Sequence, residues 1–430
     1  MERVIMPALV LAVACSNNNA AGNGREDIDW YIPEAPQDLW EPEAPEELRP
    51  DVFPDGTDDP GPDDSGQEIP ICPDADSETV ELVPIPPSRP AMDCGPSCRQ
   101  VSFAESAVWE WIVGIWEDRL VFSSGATGPT PDIDRIWLVD LTNLNHYIIS
   151  ETDYSALNKP ISRIVDIYRD IIVWDFSEKL DEDLRCHYIM RFNLSTCTID
   201  SVWQRNFESK GPKDLKIHGD HLAWWDSRDV VAWGGQAFLY DMETGEERLL
   251  SPDGCCASFV MMDGNWVVWE QGIPGNGIQI WIHDIERSES RPLTSGRLDK
   301  YSAYVLGDKV AWAECVVDGC TKYDGLSADI MMMDVVTGEI TPITNDTHAQ
   351  STPVLGDGII AWADCRNDPE NSAECWNRKS DVYLKNLDTG EESRLTNVPN
   401  NALPAVIWGN KLFFLTRDLD DILSVFEITL

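Results

Sequence analysis

The feature that most constrains this chain is a repeat. A strand-like element recurs seven times, as EDRLVFSS (117–124), RDIIVWDF (169–176), GDHLAWWD (219–226), GNWVVWEQ (264–271), GDKVAWAE (307–314), DGIIAWAD (357–364) and GNKLFFLT (409–416). Each copy is a polar turn, then β-branched or apolar residues, then an aromatic at one fixed position, as expected of a buried strand entered from a hairpin. The aromatics are Phe122, Trp174, Trp224, Trp269, Trp312, Trp362 and Phe414.

A second strand follows each of these and ends at Asp140, Asn193, Asp241, Asp284, Asp334, Asn386 or Glu427. In three units Thr-Gly-Glu comes next, where glycine can take the positive φ of a tight turn. Nine residues beyond the acidic or amide position stands an aliphatic residue: Ile149, Val202, Leu250, Leu293, Ile343 and Leu395. A Ser or Thr follows it in five of the six units, Trp203 being the exception. A period of about 43 to 53 residues, with room for four short strands, is that of propeller blades. The fold class is therefore all-β, a single seven-bladed β-propeller over residues 96–430.

Closure of the ring is legible too. The seventh unit stops at Leu430, before its third element, while Gln100-Val101-Ser102 offers an aliphatic residue followed by Ser upstream of the first unit. The neighbourhood of Val101 should form the outer strand of the last blade, removing an exposed edge.

The G-D-x-V-x-W, I-Y-L-x-D-x-x-T-G-E and R-L-T patterns resemble those of the TolB-like propellers, relatives of the WD-type repeats of bacterial envelope proteins. The resemblance covers about residues 100–430 and implies architecture. It does not carry function, because one ring form hosts unrelated activities.

Ahead of the ring, Met1–Ala14 reads as a lipoprotein signal peptide, with Arg3 as a thin charged start and Val4–Ala14 an apolar run too short to span a bilayer as a helix. Ala12-Val13-Ala14-Cys15 resembles the lipobox of bacterial lipoproteins, which implies lipidation of Cys15; Ser16 after it implies the outer membrane. Residues 15–95 read as an acidic, proline-rich disordered tether, with 21 acidic against 3 basic residues between positions 16 and 93. The formal charge of −44 excludes nucleic acid as a partner and leaves the lipid anchor as the only hold on a membrane.

An exported chain oxidises its cysteines. Cys315 with Cys320, and Cys365 with Cys375, are candidate local disulfides, each pair lying within one connection. Cys186 and Cys197 flank a strand, which at about 3.3 Å per residue holds them too far apart to bridge. Cys255 or Cys256 is the better partner for Cys186. Cys72, Cys94 and Cys98 should tie the tether's end to itself or to the rim. No zinc spacing accompanies these cysteines, so neither metal nor cofactor is expected.

The longest connections between first and second elements occur in units five and six, and their face of the ring is the candidate binding surface. Asp175, Asp226, Glu270, Glu314 and Asp364 recur there just past the aromatic. Ringed around a channel they would hold a cation or a basic partner; as blade-edge residues they would pair with neighbours such as Arg228 and Arg366, the reading we favour. The Trp row reads as inter-blade packing and the His218-Gly219-Asp220-His221 turn as solvated. No serine-hydrolase elbow, HExxH helix or phosphate loop is present. The sequence therefore predicts a monomeric, lipid-anchored binding or scaffolding ring for an envelope protein or glycan, and no enzyme. The alternative, a propeller-type polysaccharide lyase or glycosidase, requires titratable residues converging at the centre.

Overall fold

The computed structural model describes residues 80–430, less 86–90, 96, 103–107, 126–132, 154–163, 180–184, 208–210, 229–233, 253–255, 274–275, 318–319, 321–327, 347, 369–378, 399 and 418–422. The signal-peptide segment, Cys15, Cys72, most of the tether and Cys375 lie outside the described residues.

Seven four-stranded antiparallel sheets follow one another along the chain. Blades 1 to 6 span Val108–Asp153, Val165–Phe207, Lys213–Leu249, Ala257–Pro292, Lys300–Pro342 and Gln350–Arg394. Blade 7 takes three strands from Leu403–Thr429 and its fourth, outer strand from Cys98–Gln100. The first strands of neighbouring blades pack against one another all the way round, so they line the axis. This is the expected seven-bladed β-propeller.

The repeated residues explain why each blade forms. The aromatics at the fixed position, from Phe122 to Phe414, are buried in the apolar layers between adjacent blades. At roughly 25 cal/mol per Å² of apolar surface, these side chains supply much of the drive to stack the sheets. The aliphatic-Ser/Thr pair forms a two-way clamp on the third strand. The N–H of Leu293 donates to the Ile280 carbonyl and the N–H of Ile280 donates back to Thr294 Oγ1 at 2.9 Å. Leu250-Ser251, Ile343-Thr344 and Leu395-Thr396 repeat it on Ala237, Ile330 and Val382.

Closure uses the same clamp across the whole chain. Val101 N–H donates to the Val425 carbonyl at 2.9 Å and Val425 N–H donates to Ser102 Oγ at 2.7 Å. Arg99 lies over the junction, pairing with Glu427 at 2.8 Å and donating to the Leu141 carbonyl of blade 1.

The packed part of the chain begins earlier than residue 96. Leu82 is buried beside Ile149 and Leu194, Ile85 pairs with His146 of blade 1, and Val80 N–H donates to the Cys197 carbonyl of blade 2. The tether's last residues thus run along the outer edges of the first two blades, because Val80, Leu82 and Ile85 break its polar composition with apolar side chains that the rim can cover.

Cys94–Cys98 and Cys315–Cys320 are disulfides. Cys365 is disulfide-bonded, its expected partner Cys375 lying outside the described residues; Cys197 is bonded too. Cys186 corrects the expectation of a bridge to the Cys255-Cys256 pair. It is a buried thiol whose sulfur accepts a hydrogen bond from Gln204 Nε2.

Ser102→Ala removes the clamp at the closure and leaves the buried Val425 N–H without its acceptor, a loss of about 1–3 kcal/mol. Chemical denaturation should give Ser102→Ala and the equivalent Thr294→Ala in blade 4 comparable losses; a wild-type midpoint for Ser102→Ala would show that closure does not depend on this bond.

Candidate functional site

The first strand of each blade ends at a tight turn, and side chains along these strands form layers around the axis. The layer next to the turns consists of Trp116, Tyr168, His218, Asp263, Leu306, Gly356 and Trp408, from blades 1 to 7 in order. Four neighbouring members touch ring to ring. Centroids of Trp408 and Trp116 lie 5.1 Å apart, those of Trp116 and Tyr168 4.6 Å, and those of Tyr168 and His218 4.6 Å, with interplanar tilts of 45–59°. The arc ends on a polar contact, His218 Nδ1 to Asp263 Oδ1 at 3.3 Å, and Asp263 is itself held by the Gly307 N–H at 2.7 Å.

Two residues deeper, the corresponding layer holds Asp166, Lys216 and Tyr304 among Gly114, Met261, Val354 and Val406, all lining one recess of about 190 Å³. Burial raises the Asp166 carboxyl above its ordinary range, against the pull of Lys216 Nζ 4.0 Å away and of the Ile217 N–H. Burial, reinforced by Asp263 and Asp166, pushes the Tyr304 phenol up and keeps it neutral. Gly114 makes room for this carboxylate: a Cβ there would stand 2.7 Å from Asp166 Oδ1 and 3.0 Å from Asp166 Cα. The residues between these layers, among them Ile115, Ile167 and Ile217, turn into the blade interfaces and are buried.

The next layer, the floor, includes Asp214, Phe259, Ser302 and Thr352, each at a bulge and each with φ between 48° and 54°. Four non-glycine residues in the left-handed region at one position of successive blades are a costly arrangement, about 1–3 kcal/mol apiece, and such strain concentrates at functional sites.

The structure thus places a protonatable acid, an ammonium, a phenol and a histidine-carboxylate pair around one recess beneath an aromatic rim. Such a set can transfer protons to and from a bound molecule. Sequence reasoning missed the rim because its position is occupied by a different residue type in nearly every blade, so no repeat marks it. His218, read as part of a solvated turn, instead stacks on Tyr168 at the mouth.

The acidic residues singled out from the sequence lie at the other ends of these sheets and do not converge. Asp175 and Glu270 are buried and accept the N–H groups of Ile164 and Ser302, at 2.8 Å each. Asp226, Glu314 and Asp364 accept the indole N–H of the repeat tryptophan two residues earlier, Trp224, Trp312 and Trp362. Arg228, Lys300 and Arg366 neutralise these three. Among the described residues no group of three or more His, Cys, Asp or Glu side chains is arranged to hold a metal ion.

No protein-family model and no curated protein matches this chain. Solved structures share its ring. The β-propeller domain of the Trilobed protease from Pyrococcus furiosus superposes with a TM-score of 0.54 at 12% identity, over 75% of this chain and 95% of that one. An oligogalacturonate lyase in complex with manganese gives 0.51 at 12% identity, over 82% and 97%. Pyrococcus horikoshii acylaminoacyl peptidase gives 0.52 at 13% identity, over 74% of this chain and 50% of its own. At such identities the likeness is one of fold. The Pyrococcus furiosus domain has an open velcro topology, whereas here Cys98–Gln100 closes blade 7. The comparison corrects the expectation that the ring is not an enzyme: the structures it resembles come from a lyase, a protease and a peptidase, so a bare ring is no argument against catalysis.

Two substitutions probe the recess. Gly114→Ala drives a methyl into Asp166 and should destabilise by about 1–3 kcal/mol, read by denaturation. Asp166→Asn tests the raised carboxyl. A folded-state pKa above the unfolded value gives stability that is present at low pH and lost as pH rises through the folded value. The variant should therefore exceed wild type in stability at neutral pH, with the gap closing as the pH falls below the ordinary carboxyl value of about 4; a gap independent of pH would contradict the assignment.

Proposed function

We propose that this chain is a carbohydrate-active propeller of the polysaccharide lyase or glycosidase type, with its site at the aromatic mouth of the central recess. The continuous arc from Trp408 to His218, ending on Asp263 above Asp166, is the observation that carries this reading. Sugar rings present apolar faces that aromatic side chains cover, and a few polar groups fix their orientation. Asp166, whose carboxyl burial shifts toward the protonated form, gives its proton to the leaving glycosidic oxygen as the C–O bond breaks. His218, with Nδ1 turned to Asp263, takes up a proton at Nε2. In elimination that proton comes from the carbon beside a uronate carboxylate, and its electron pair forms the new C=C bond. In hydrolysis it comes from the attacking water. Lys216 lies where it can neutralise a uronate carboxylate, which favours elimination.

Manganese, named with one similar lyase, does not fit: three acidic or imidazole ligands do not converge among the described residues. Lipidation at Cys15 and attachment to the outer membrane belong to the same proposal, resting on the lipobox resemblance alone. The tether then holds a monomeric ring against envelope or imported glycans.

The test is turnover of uronate-containing and neutral oligosaccharide sets, read as ultraviolet absorbance of the unsaturated product and as new reducing ends. Asp166→Asn and His218→Ala should each lower kcat by about 10²–10⁴. New reducing ends without absorbance would select hydrolysis over elimination, and absence of both turnover and binding across the sets would sink the proposal.

A further inference from the structure

We infer that the recess takes a single chain-terminal sugar, so that the protein works from glycan ends, with the Thr352 hydroxyl as a specificity determinant at the floor; this rests on the carbohydrate reading above. Three observations lead there. The recess holds about 190 Å³. That lies below the ~300 Å³ at which ordinary ligand clefts begin, so it suits one pyranose unit better than a run of them.

One side of the floor is also closed. Ser302 and Thr352 there are 8% and 4% exposed, whereas Asp214 and Phe259 of the same layer are half-buried like the rim residues Trp116, Tyr168, His218 and Trp408. A terminal sugar entering from the rim can reach that closed side, with the following sugars resting on the aromatic arc.

The third observation is an orphan. Thr352 Oγ1 is buried, makes no hydrogen bond to any described residue and belongs to a side chain lining the recess. A buried hydroxyl without a partner is costly, and a sugar hydroxyl reaching the floor supplies both a donor and an acceptor. Thr352 also carries a left-handed φ of 48° at a bulge, which a β-branched residue adopts only where the surrounding structure enforces it.

The experiment is cleavage of an end-labelled oligosaccharide ladder, and of the parent polymer, from whichever glycan the full-length protein turns over. Release of one terminal unit at a time, with polymer viscosity unchanged early in the reaction, is expected. Thr352→Val should raise KM about five- to tenfold with kcat little altered, while Thr352→Ser keeps the wild-type value. Internal scission with an early fall in viscosity, or a Thr352→Val enzyme indistinguishable from wild type, overturns this inference and leaves the carbohydrate reading standing. Failure to bind or turn over any glycan overturns both.

Discussion

The rest of the structure depends on one hydrogen-bonded clamp, in which an aliphatic residue and the Ser or Thr after it hold the third strand of a blade from both sides. Each clamp fixes the register of an outer strand, and register decides which face of that strand enters the inter-blade core. In blade 7 the clamp joins residues 323 positions apart, Ser102 and Val425. The ring is shut by the same bond that builds its blades, and the cost of ordering so long a loop grows only slowly with its length. Without it the last blade would present an unpaired edge, and the seam between blades 7 and 1 would lose Val101 from its apolar layer.

A frame of this rigidity allows variation at the inner strand ends. Positions that turn into the blade interfaces must be apolar in every blade, as Ile115, Ile167 and Ile217 are. Positions that face the axis are under no shared demand to be apolar and differ from blade to blade: Gly114, Asp166, Lys216 and Met261 are equivalents. The chemistry of the centre is thus a property of irregularity. Asp166 fits opposite a glycine of blade 1, and burial among the neighbouring blades raises its carboxyl.

The acidic residues past the repeat tryptophans show the converse. Their recurrence made them visible in the sequence, and recurrence is what residues acquire when they serve the blade. Asp226 and Asp364 receive an indole N–H and an arginine, and Glu270 receives a backbone N–H of the next blade. Repetition in a propeller marks construction, and a site lies where repetition fails.

Sequence alone determined the seven blades, their fourfold strand content and the identity of the closing segment, because periodic burial and a two-residue clamp leave a periodic trace in the chain. The buried role of Phe122 to Phe414 was legible for the same reason. Only the tertiary structure decided that Trp408, Trp116, Tyr168 and His218 meet, and that Asp166, Lys216, Tyr304 and Thr352 line one recess. They come from six blades, are separated by up to about 300 residues of chain, and are brought together by ring closure, which gives the centre a proximity that no local pattern encodes.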